Sequence, residues 1–284
     1  MVELSVALPM YKAKHIAWLA MEGLCRQKNV HFEWELMVAE ERYLKAFGRH
    51  KVHSYEQRLR EIGCRRIHYI GLDFWVPLPV KCLLIGKELS PSSKCTLLQA
   101  ADDYPQPWRL KDAYDAFEKG VDWFYSKKGV YYKIFNGKIL LYDHSCSQHV
   151  SGVEMAVRSD LMRNLPLSFQ RTSIDHWLFM SMQATKGSPL VTEFNKTDHW
   201  KYSLYTDGMN IQAGAGFECY DNPPEDAAFK KIEPEVLQHI PEGILQRLRM
   251  CRRYISRWKL PKNISSIVFR IKFLLAKIYL AGKV

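Results

Sequence analysis

The sequence predicts an α/β fold with a mixed, mostly parallel central β-sheet that is flanked by helices. One observation is the alternation of buried-strand and amphipathic-helix patterns through residues 1–101, because repeated β-α-β units build parallel sheets with right-handed crossovers. The other is the composition, with 47% hydrophobic and 13% aromatic residues in 284. A chain of this size and composition can bury the core of one large domain.

The elements of the first half follow from local patterns. Strands are expected at residues 2–8, 32–39, 66–71 and 95–101, and helices at 13–27, 54–63 and 77–89. The strands are short apolar runs, and in 13–27 the apolar residues recur at helical spacing. Pro9 is expected to stop the first strand. These elements form a first half, residues 1–110.

The pattern changes in the second half, residues 111–220. Segments 130–135 and 138–142 flank Asn136-Gly137, and this dipeptide is the strongest short signal for a β-hairpin. Helices are expected at 154–164 and 174–183. Residues 222–226 read Asn-Pro-Pro-Glu-Asp and predict a loop that leaves the compact domain.

The positive charge of the chain is confined to its C-terminal end. Of the net charge of +11, all comes from residues 244–284, which hold eleven Lys and Arg and no Asp or Glu, whereas residues 1–243 hold 30 basic and 30 acidic residues. We therefore divide the chain into a body, 1–240, and a basic amphipathic tail, 241–284. The tail suits the surface of an anionic membrane, or else a helix packed on the body. Nucleic acid is not expected as a partner, because nucleic-acid-binding domains spread basic groups over a folded surface.

Cysteine usage indicates a reducing compartment. The seven cysteines are scattered, and no Cys-x-x-Cys pair occurs, which argues against a disulfide framework. We expect neither a signal peptide nor a transmembrane helix. The predicted location is the cytoplasm, with peripheral association at the inner face of the membrane as the alternative that the tail suggests.

Polar and aromatic residues follow successive predicted strands. Tyr11 follows the first strand, Glu40 and Glu41 the second, and Asp102 and Asp103 the last. Ligands of open α/β sheets bind beyond the carboxyl ends of the strands. Up to four carboxylates are therefore expected in one crevice, where a hard cation such as Mg²⁺ or Mn²⁺ would offset their repulsion. Alternatively, the two aspartates cap a helix that starts near residue 105.

These motifs together resemble family 2 glycosyltransferases. The resemblance covers about residues 2–215 and rests on Pro9-Met10-Tyr11, Arg26-Gln27, FEWELMVAEE at 32–41 and LLQAADDYPQPWRL at 97–110. It implies a GT-A fold, with 1–110 as the nucleotide-binding half and 111–220 as the acceptor half. It also implies a nucleotide pocket formed by Pro9, Tyr11, Glu40, Glu41 and Asp102.

The resemblance further implies a divalent metal and a catalytic base. Asp102 and Asp103 would hold Mn²⁺ or Mg²⁺ that bridges the donor diphosphate, and His199 would be a late metal ligand. Asp175, in the segment Ser-Ile-Asp-His-Trp, would be the general base that deprotonates the acceptor hydroxyl. As alternatives, Asp175 is a helix N-terminal residue favoured by the dipole, and His199 is a surface or core histidine.

The chain departs from the family pattern at several positions. Ala100 replaces the first acid of the metal motif, Glu40-Glu41 stand for two aspartates, and Lys12 stands for an asparagine. Lys81 is the only candidate in its region to meet a phosphate. These changes bear on which nucleotide is bound more than on the fold.

The predicted function is a metal-dependent inverting glycosyltransferase. The donor would be a UDP- or GDP-sugar, and the acceptor a glycan or a lipid-linked hydroxyl. One alternative is a sugar-phosphate nucleotidyltransferase, although Pro9-Met10-Tyr11 lacks the glycine-rich loop expected of that class. The other is a non-catalytic basic protein that binds a membrane or nucleic acid.

Overall fold

The computed structural model describes residues 1–42, 45–76, 78–125, 128–133, 137, 139–143, 155–164, 191–193, 204–207, 229–231 and 240–251, and the single positions 271, 274 and 278. Asp175, His199, the predicted helix at 174–183 and the predicted loop at 222–226 lie outside these residues.

The described residues form strands and helices in alternation through the first half. The strands are β1 (Val2–Met10), β2 (Glu33–Glu41), β3 (Cys64–Leu72), β4 (Cys95–Leu98), β5 (Trp123–Tyr125), β6 (Lys128–Lys133), β7 (Ile139–Asp143), β8 (Ala156–Arg158), β9 (Val191–Glu193), β10 (Leu204–Asp207) and β11 (Phe229–Lys231). The helices are α1 (Trp18–Leu24), α2 (Arg49–His53), α3 (Glu56–Glu61), α4 (Leu78–Glu88), α5 (Arg109–Glu118), α6 (Ser159–Arg163) and α7 (Glu242–Cys251).

The central sheet has seven strands in the order β3-β2-β1-β4-β8-β5-β9. Strands β3, β2, β1 and β4 are parallel neighbours, β8 is antiparallel to both β4 and β5, and β5 is parallel to β9. The predicted α/β class with a mostly parallel sheet is confirmed. The chain winds from β1 to β2 and β3 on one side and then returns to β4 on the other. That reversal makes the β1–β4 junction the switch point where such sheets bind ligands.

Two hydrophobic clusters cover the two faces of the sheet. Side chains alternate between faces along a strand. On β1, Leu4, Val6 and Leu8 pack with α1, α3 and α5, whereas Ala7 packs with α4. Helices on both faces are what a buried parallel sheet requires.

A second sheet contains the predicted hairpin. Its order is β10-β6-β7-β11, and β6 and β7 pair antiparallel as predicted. Gly137 between them has a φ of 72°, a conformation that glycine adopts without steric cost. The Asn-Gly signal thus identified this turn correctly.

The predicted helix at 154–164 is wrong in its first part. Residues 156–158 form β8 between β4 and β5, and only Ser159–Arg163 is helical. Val157 pairs with Thr96 and Trp123 and is fully buried. Strand pairing with distant segments therefore overrides the local helical pattern. The predicted helix at 54–63 is present as α3, and the short helix α2 that precedes it was not predicted.

Helix α7 packs on the body of the protein. Ile244, Leu245 and Leu248 are buried in the same cluster as α1, and the guanidinium carbon of Arg247 lies 4.0 Å from the ring centroid of Trp18. The first turns of the predicted tail therefore share the core of the body. The boundary at residue 240 stays a prediction.

Candidate functional site

The carboxyl ends of the parallel strands meet at one edge of the sheet. Met10 is the register partner of Glu40, Glu41 is the partner of Leu72, and Ala7 is the partner of Leu98. The residues that follow β1, β2 and β4 therefore lie at the same edge, on either side of the switch point. The strand registers therefore bring these segments together, as the sequence predicted.

Glu40 fixes the loop that follows β2. Its carboxylate accepts hydrogen bonds from the backbone amides of Phe47 at 2.6 Å and Gly48 at 2.9 Å, and from the hydroxyl of Tyr69 at 2.9 Å. Burial and the charge of Glu40 raise the pKa of Tyr69, so this hydroxyl remains a donor at neutral pH. Glu40 is fully buried, so its oxygens are committed to the loop and to Tyr69.

Glu41 forms a buried ion pair with Lys81. The Lys81 ammonium lies 2.7 Å from the Glu41 carboxylate and 2.5 Å from the carbonyl oxygen of Met10. The other carboxylate oxygen accepts the amide of Val76 at 3.1 Å. Lys81 is 0% and Glu41 3% exposed, and desolvation lowers the pKa of Lys81. Lys81 thus holds the end of β1 in this structure, and does not face solvent where a phosphate would arrive.

Glu40 and Glu41 consequently point to opposite faces of the sheet. Glu40 lies on the face of α1 and α2, with Val38, and Glu41 lies on the face of α4, with Ala39. The expected convergence of four carboxylates does not occur in this conformation. That either one contacts a nucleobase stays a prediction.

Tyr11 stands at the tip of β1 among positive charges. The ammonium groups of Lys12 and Lys81 lie 5.0 and 5.4 Å from its ring centroid, within the range of cation–π attraction. Lys12 has a φ of 50°, a left-handed conformation that asparagine adopts more readily than lysine. Pro9 is buried within β1 opposite Ala39, so Tyr11 is the more accessible of the two predicted nucleoside contacts.

Two further lysines, Lys14 and Lys45, are joined to each other by a backbone hydrogen bond. The backbone amide of Lys14 donates to the carbonyl of Lys45 at 2.9 Å. Burial, together with the charges of Lys14 and Lys45, lowers the pKa of His15. Burial is the larger cause of this pKa shift, and the two lysine charges that add to it have the sign that attracts a diphosphate.

Asp102 and Asp103 lie in a turn and do not cap a helix. Helix α5 begins at Arg109 with Trp108 as its N-cap residue, well beyond the aspartates. The capping interpretation is therefore wrong. Part of the Asp102 surface reaches solvent, but its surroundings are dense enough that desolvation raises the pKa of its carboxyl to about 6.

Gln99 supports this turn and brings a further oxygen to it. Its side-chain amide donates to the carbonyls of Ala100 at 2.9 Å and Asp103 at 3.0 Å. Its Oε1 atom is buried and accepts no hydrogen bond within the described part of the chain. An unsatisfied buried acceptor is costly, and it suits a ligand that brings a proton donor or a cation. The sequence analysis missed this residue.

Gln27 clamps the segment that follows the two aspartates. Its amide donates to the carbonyls of Gly23 at 3.0 Å and Gln106 at 2.8 Å, and its Oε1 accepts the amide of Leu110 at 2.9 Å. Both polar atoms of this buried side chain are thus engaged, through three hydrogen bonds, with α1 and the 106–110 segment. The glutamine that follows α1 therefore helps to position the segment that comes directly after Asp102 and Asp103.

Gly23 allows α1 to approach this turn closely, and Gly23→Ala tests that contact. A Cβ at residue 23 would lie 2.4 and 2.7 Å from ring carbons of Pro105, a rigid side chain that cannot move alone. We expect a loss of stability of about 1–3 kcal/mol, typical of overpacking, measured by thermal denaturation. Gly243→Ala is the matched control, because the new Cβ would meet no atom within 4 Å. Equal stability of the two variants would contradict the close contact.

The donor set at the turn fits a hard divalent cation only in part. Among the described residues no group of three or more His, Cys, Asp or Glu is arranged to hold a metal. Two neighbouring aspartates with a buried amide oxygen nearby are nevertheless oxygen donors, which Mg²⁺ and Mn²⁺ prefer. Mg²⁺ commonly binds through one or two carboxylates, with water and phosphate oxygens completing the shell. The residues present therefore fit a cation that arrives with a diphosphate.

No family model and no curated protein matches this chain, whereas solved structures do. Staphylococcus aureus TarS matches over 97% of this chain and 43% of that chain, with 15% identity and a TM-score of 0.52. TarS 1–349 in complex with UDP-GlcNAc matches over 93% of this chain and 69% of that chain, with 16% identity and a TM-score of 0.53.

A third similar structure is TarS 1–349 in complex with UDP, at 14% identity and a TM-score of 0.52 over 93% of this chain and 68% of that chain. The chain spans less than half the length of the longer TarS structure, 43% of it. At this identity the likeness shows the fold. The predicted GT-A-type architecture of the sheet and its helices is confirmed.

Proposed function

We propose that the chain is a family 2-like glycosyltransferase that moves a sugar from a nucleoside diphosphate sugar to a hydroxyl of a glycan or lipid-linked acceptor. The observation that carries the proposal is the edge of the sheet at the switch point, where Tyr11 follows β1 and the Asp102-Asp103 turn follows the neighbouring strand β4. It belongs to a fold shared with TarS, a glycosyltransferase whose structures hold UDP and UDP-GlcNAc. A UDP- or GDP-sugar is the proposed donor.

In this proposal the described residues bind and orient the donor. Tyr11 contacts the nucleobase, and the positive groups around it attract the diphosphate. Glu40 and the Glu41–Lys81 pair hold the two loops that border the nucleoside. Direct contact of either carboxylate with the base requires its present hydrogen bonds to rearrange, since both residues are buried.

Mn²⁺ or Mg²⁺ would be held by Asp102 and Asp103, with His199 as a further proposed ligand. When bound, the cation would neutralise charge on the departing nucleoside diphosphate. Asp175 is the proposed general base: the acceptor oxygen attacks the anomeric carbon, the bond from that carbon to the diphosphate breaks, and the hydroxyl proton passes to the carboxylate. Attack opposite to the leaving group inverts the configuration at the anomeric carbon.

Nucleoside diphosphates are expected to stabilise the protein against heat. A ligand at 100 times its Kd adds about 2.7 kcal/mol, which corresponds to a rise in Tm of roughly 5–10 °C for a domain of this size. We expect such a rise with UDP or GDP in the presence of Mn²⁺, and a smaller one for Tyr11→Ala.

The same measurement separates the competing functions. No stabilisation by any nucleoside diphosphate, with or without Mn²⁺, would contradict the proposed donor site. A donor screen then identifies the reaction: transfer or hydrolysis releases a nucleoside diphosphate, whereas a nucleotidyltransferase would exchange pyrophosphate into a nucleoside triphosphate.

A further inference from the structure

Three large apolar side chains of the C-terminal segment are exposed. Ile271, Leu274 and Ile278 are each in helical conformation and are 55%, 59% and 62% exposed. Their spacing of three and four residues places them on one face of a helix. Single exposed aliphatic residues are common, but a contiguous exposed stripe marks an interaction surface.

This stripe contrasts with the apolar residues of α7. The apolar face of α7 is buried: its residues Ile244, Leu245 and Leu248 pack in the same cluster as α1. The side chains at 271, 274 and 278 are instead each more than half exposed. Packing on the body therefore accounts for the apolar side chains of α7, whereas those at 271, 274 and 278 keep most of their surface exposed.

Charge indicates what covers the stripe. Arg270, Lys272 and Lys277 neighbour the stripe in the sequence. Residues 244–284 contain eleven basic and no acidic residues. A second copy of the chain would bring like charges together, which opposes association. A surface with anionic groups beside an apolar layer complements both features.

We propose that Ile271, Leu274 and Ile278, with the basic residues that neighbour them in the sequence, form a docking surface for an anionic lipid bilayer. The apolar stripe enters the boundary between headgroups and acyl chains, and the basic side chains remain at the level of the headgroups. Among the described residues no helix is long and apolar enough to cross a bilayer, so the helix lies in the plane of the interface. The proposal does not depend on the proposed sugar transfer.

The test is co-sedimentation of the full chain with vesicles. Binding is expected to phosphatidylcholine vesicles that contain phosphatidylglycerol, to weaken with added salt, and to be weak on pure phosphatidylcholine. The triple variant Ile271→Ser/Leu274→Ser/Ile278→Ser is expected to lose at least about tenfold in affinity, because apolar burial supplies much of such binding. Met250→Ser is the matched control: Met250 is 63% exposed but lies on α7, and its substitution should leave binding unchanged.

Three outcomes would overturn the proposal. These are absence of binding to the anionic vesicles, equal binding by the triple variant and the wild type, and a concentration-dependent dimer of the wild type that the triple variant loses. The third would assign the stripe to a second copy of the chain. The melting temperature of the triple variant shows whether it is folded, and its response to UDP and Mn²⁺ keeps failure of the docking surface separate from failure of the donor site.

Discussion

Replacement of Lys81 by methionine is expected to lower the free energy of unfolding by about 3–5 kcal/mol, because it leaves a buried carboxylate without its cation. The Lys81–Glu41 pair is 0% and 3% exposed with the charged atoms 2.7 Å apart, so water cannot replace the lost partner. The substitution also removes the donor to the carbonyl of Met10. Chemical denaturation at neutral pH measures the effect, and the corresponding fall in Tm is roughly 10 °C.

The double variant Lys81→Met/Glu41→Gln is the control. It removes both charges, and the glutamine can still accept the amide of Val76, so it should recover much of the stability that the single variant loses. Removal of a whole buried pair is often tolerated where removal of one partner is not. If the single and double variants were equally unstable, the ion pair would not be the source of the loss.

The pair also has a consequence for the site. Lys81 fixes the last carbonyl of β1, and Tyr11 is the next residue. In the double variant, which keeps most of its stability, loosening of this carbonyl should weaken the Tm response to UDP and Mn²⁺. A response equal to that of the wild type would leave the pair with a purely structural role.

The sequence predicted the parallel strands and the hairpin because their signals are local. Apolar runs with helical patterns between them identified β1, β2, β3 and β4, and Asn136-Gly137 identified the turn between β6 and β7. β8 was missed because its stability comes from β4 and β5, which are distant in sequence, and no local pattern shows that pairing.

The placement of Glu40 and Glu41 shows where site prediction failed. The sequence pattern ended the second strand at residue 39, which left both carboxylates in a loop where they were free to converge. The strand continues to Glu41, and strand alternation then turns the two side chains to opposite faces. The contacts of Gln27 and Gln99 were invisible for a different reason, since each joins the 99–110 segment through hydrogen bonds whose geometry depends on the folded turn.

Replacement of Asp102 by asparagine is expected to stabilise the fold while it removes sugar transfer. Desolvation raises the pKa of Asp102 to about 6, above the value near 3.9 of an unfolded chain. Between about pH 4 and 6 the folded state therefore binds more protons than the unfolded state, and stability falls as the pH rises through this range. At pH 7.5 the ionised carboxylate costs about 1–3 kcal/mol, and asparagine avoids this cost. Thermal denaturation should show a higher Tm for Asp102→Asn at pH 7.5, with the gain vanishing near pH 4.

The sugar-transfer activity of Asp102→Asn is expected to fall although its stability rises. Loss of a group that stabilises transition-state charge lowers turnover by about 10²–10³-fold, measurable as release of nucleoside diphosphate. Asp73→Asn is the control, because Asp73 is 70% exposed beside Arg42 and a surface pair contributes about 0–1 kcal/mol. This variant should gain no stability at any pH.

Mn²⁺ with UDP should raise the Tm of the wild type more than that of Asp102→Asn, since the cation offsets the same unfavourable charge that asparagine removes. If Asp102→Asn were stable and fully active, other residues would bind the metal and the diphosphate. If the variant were less stable than the wild type, favourable contacts would hold the carboxylate, and its ionised form would not lower the stability of the fold.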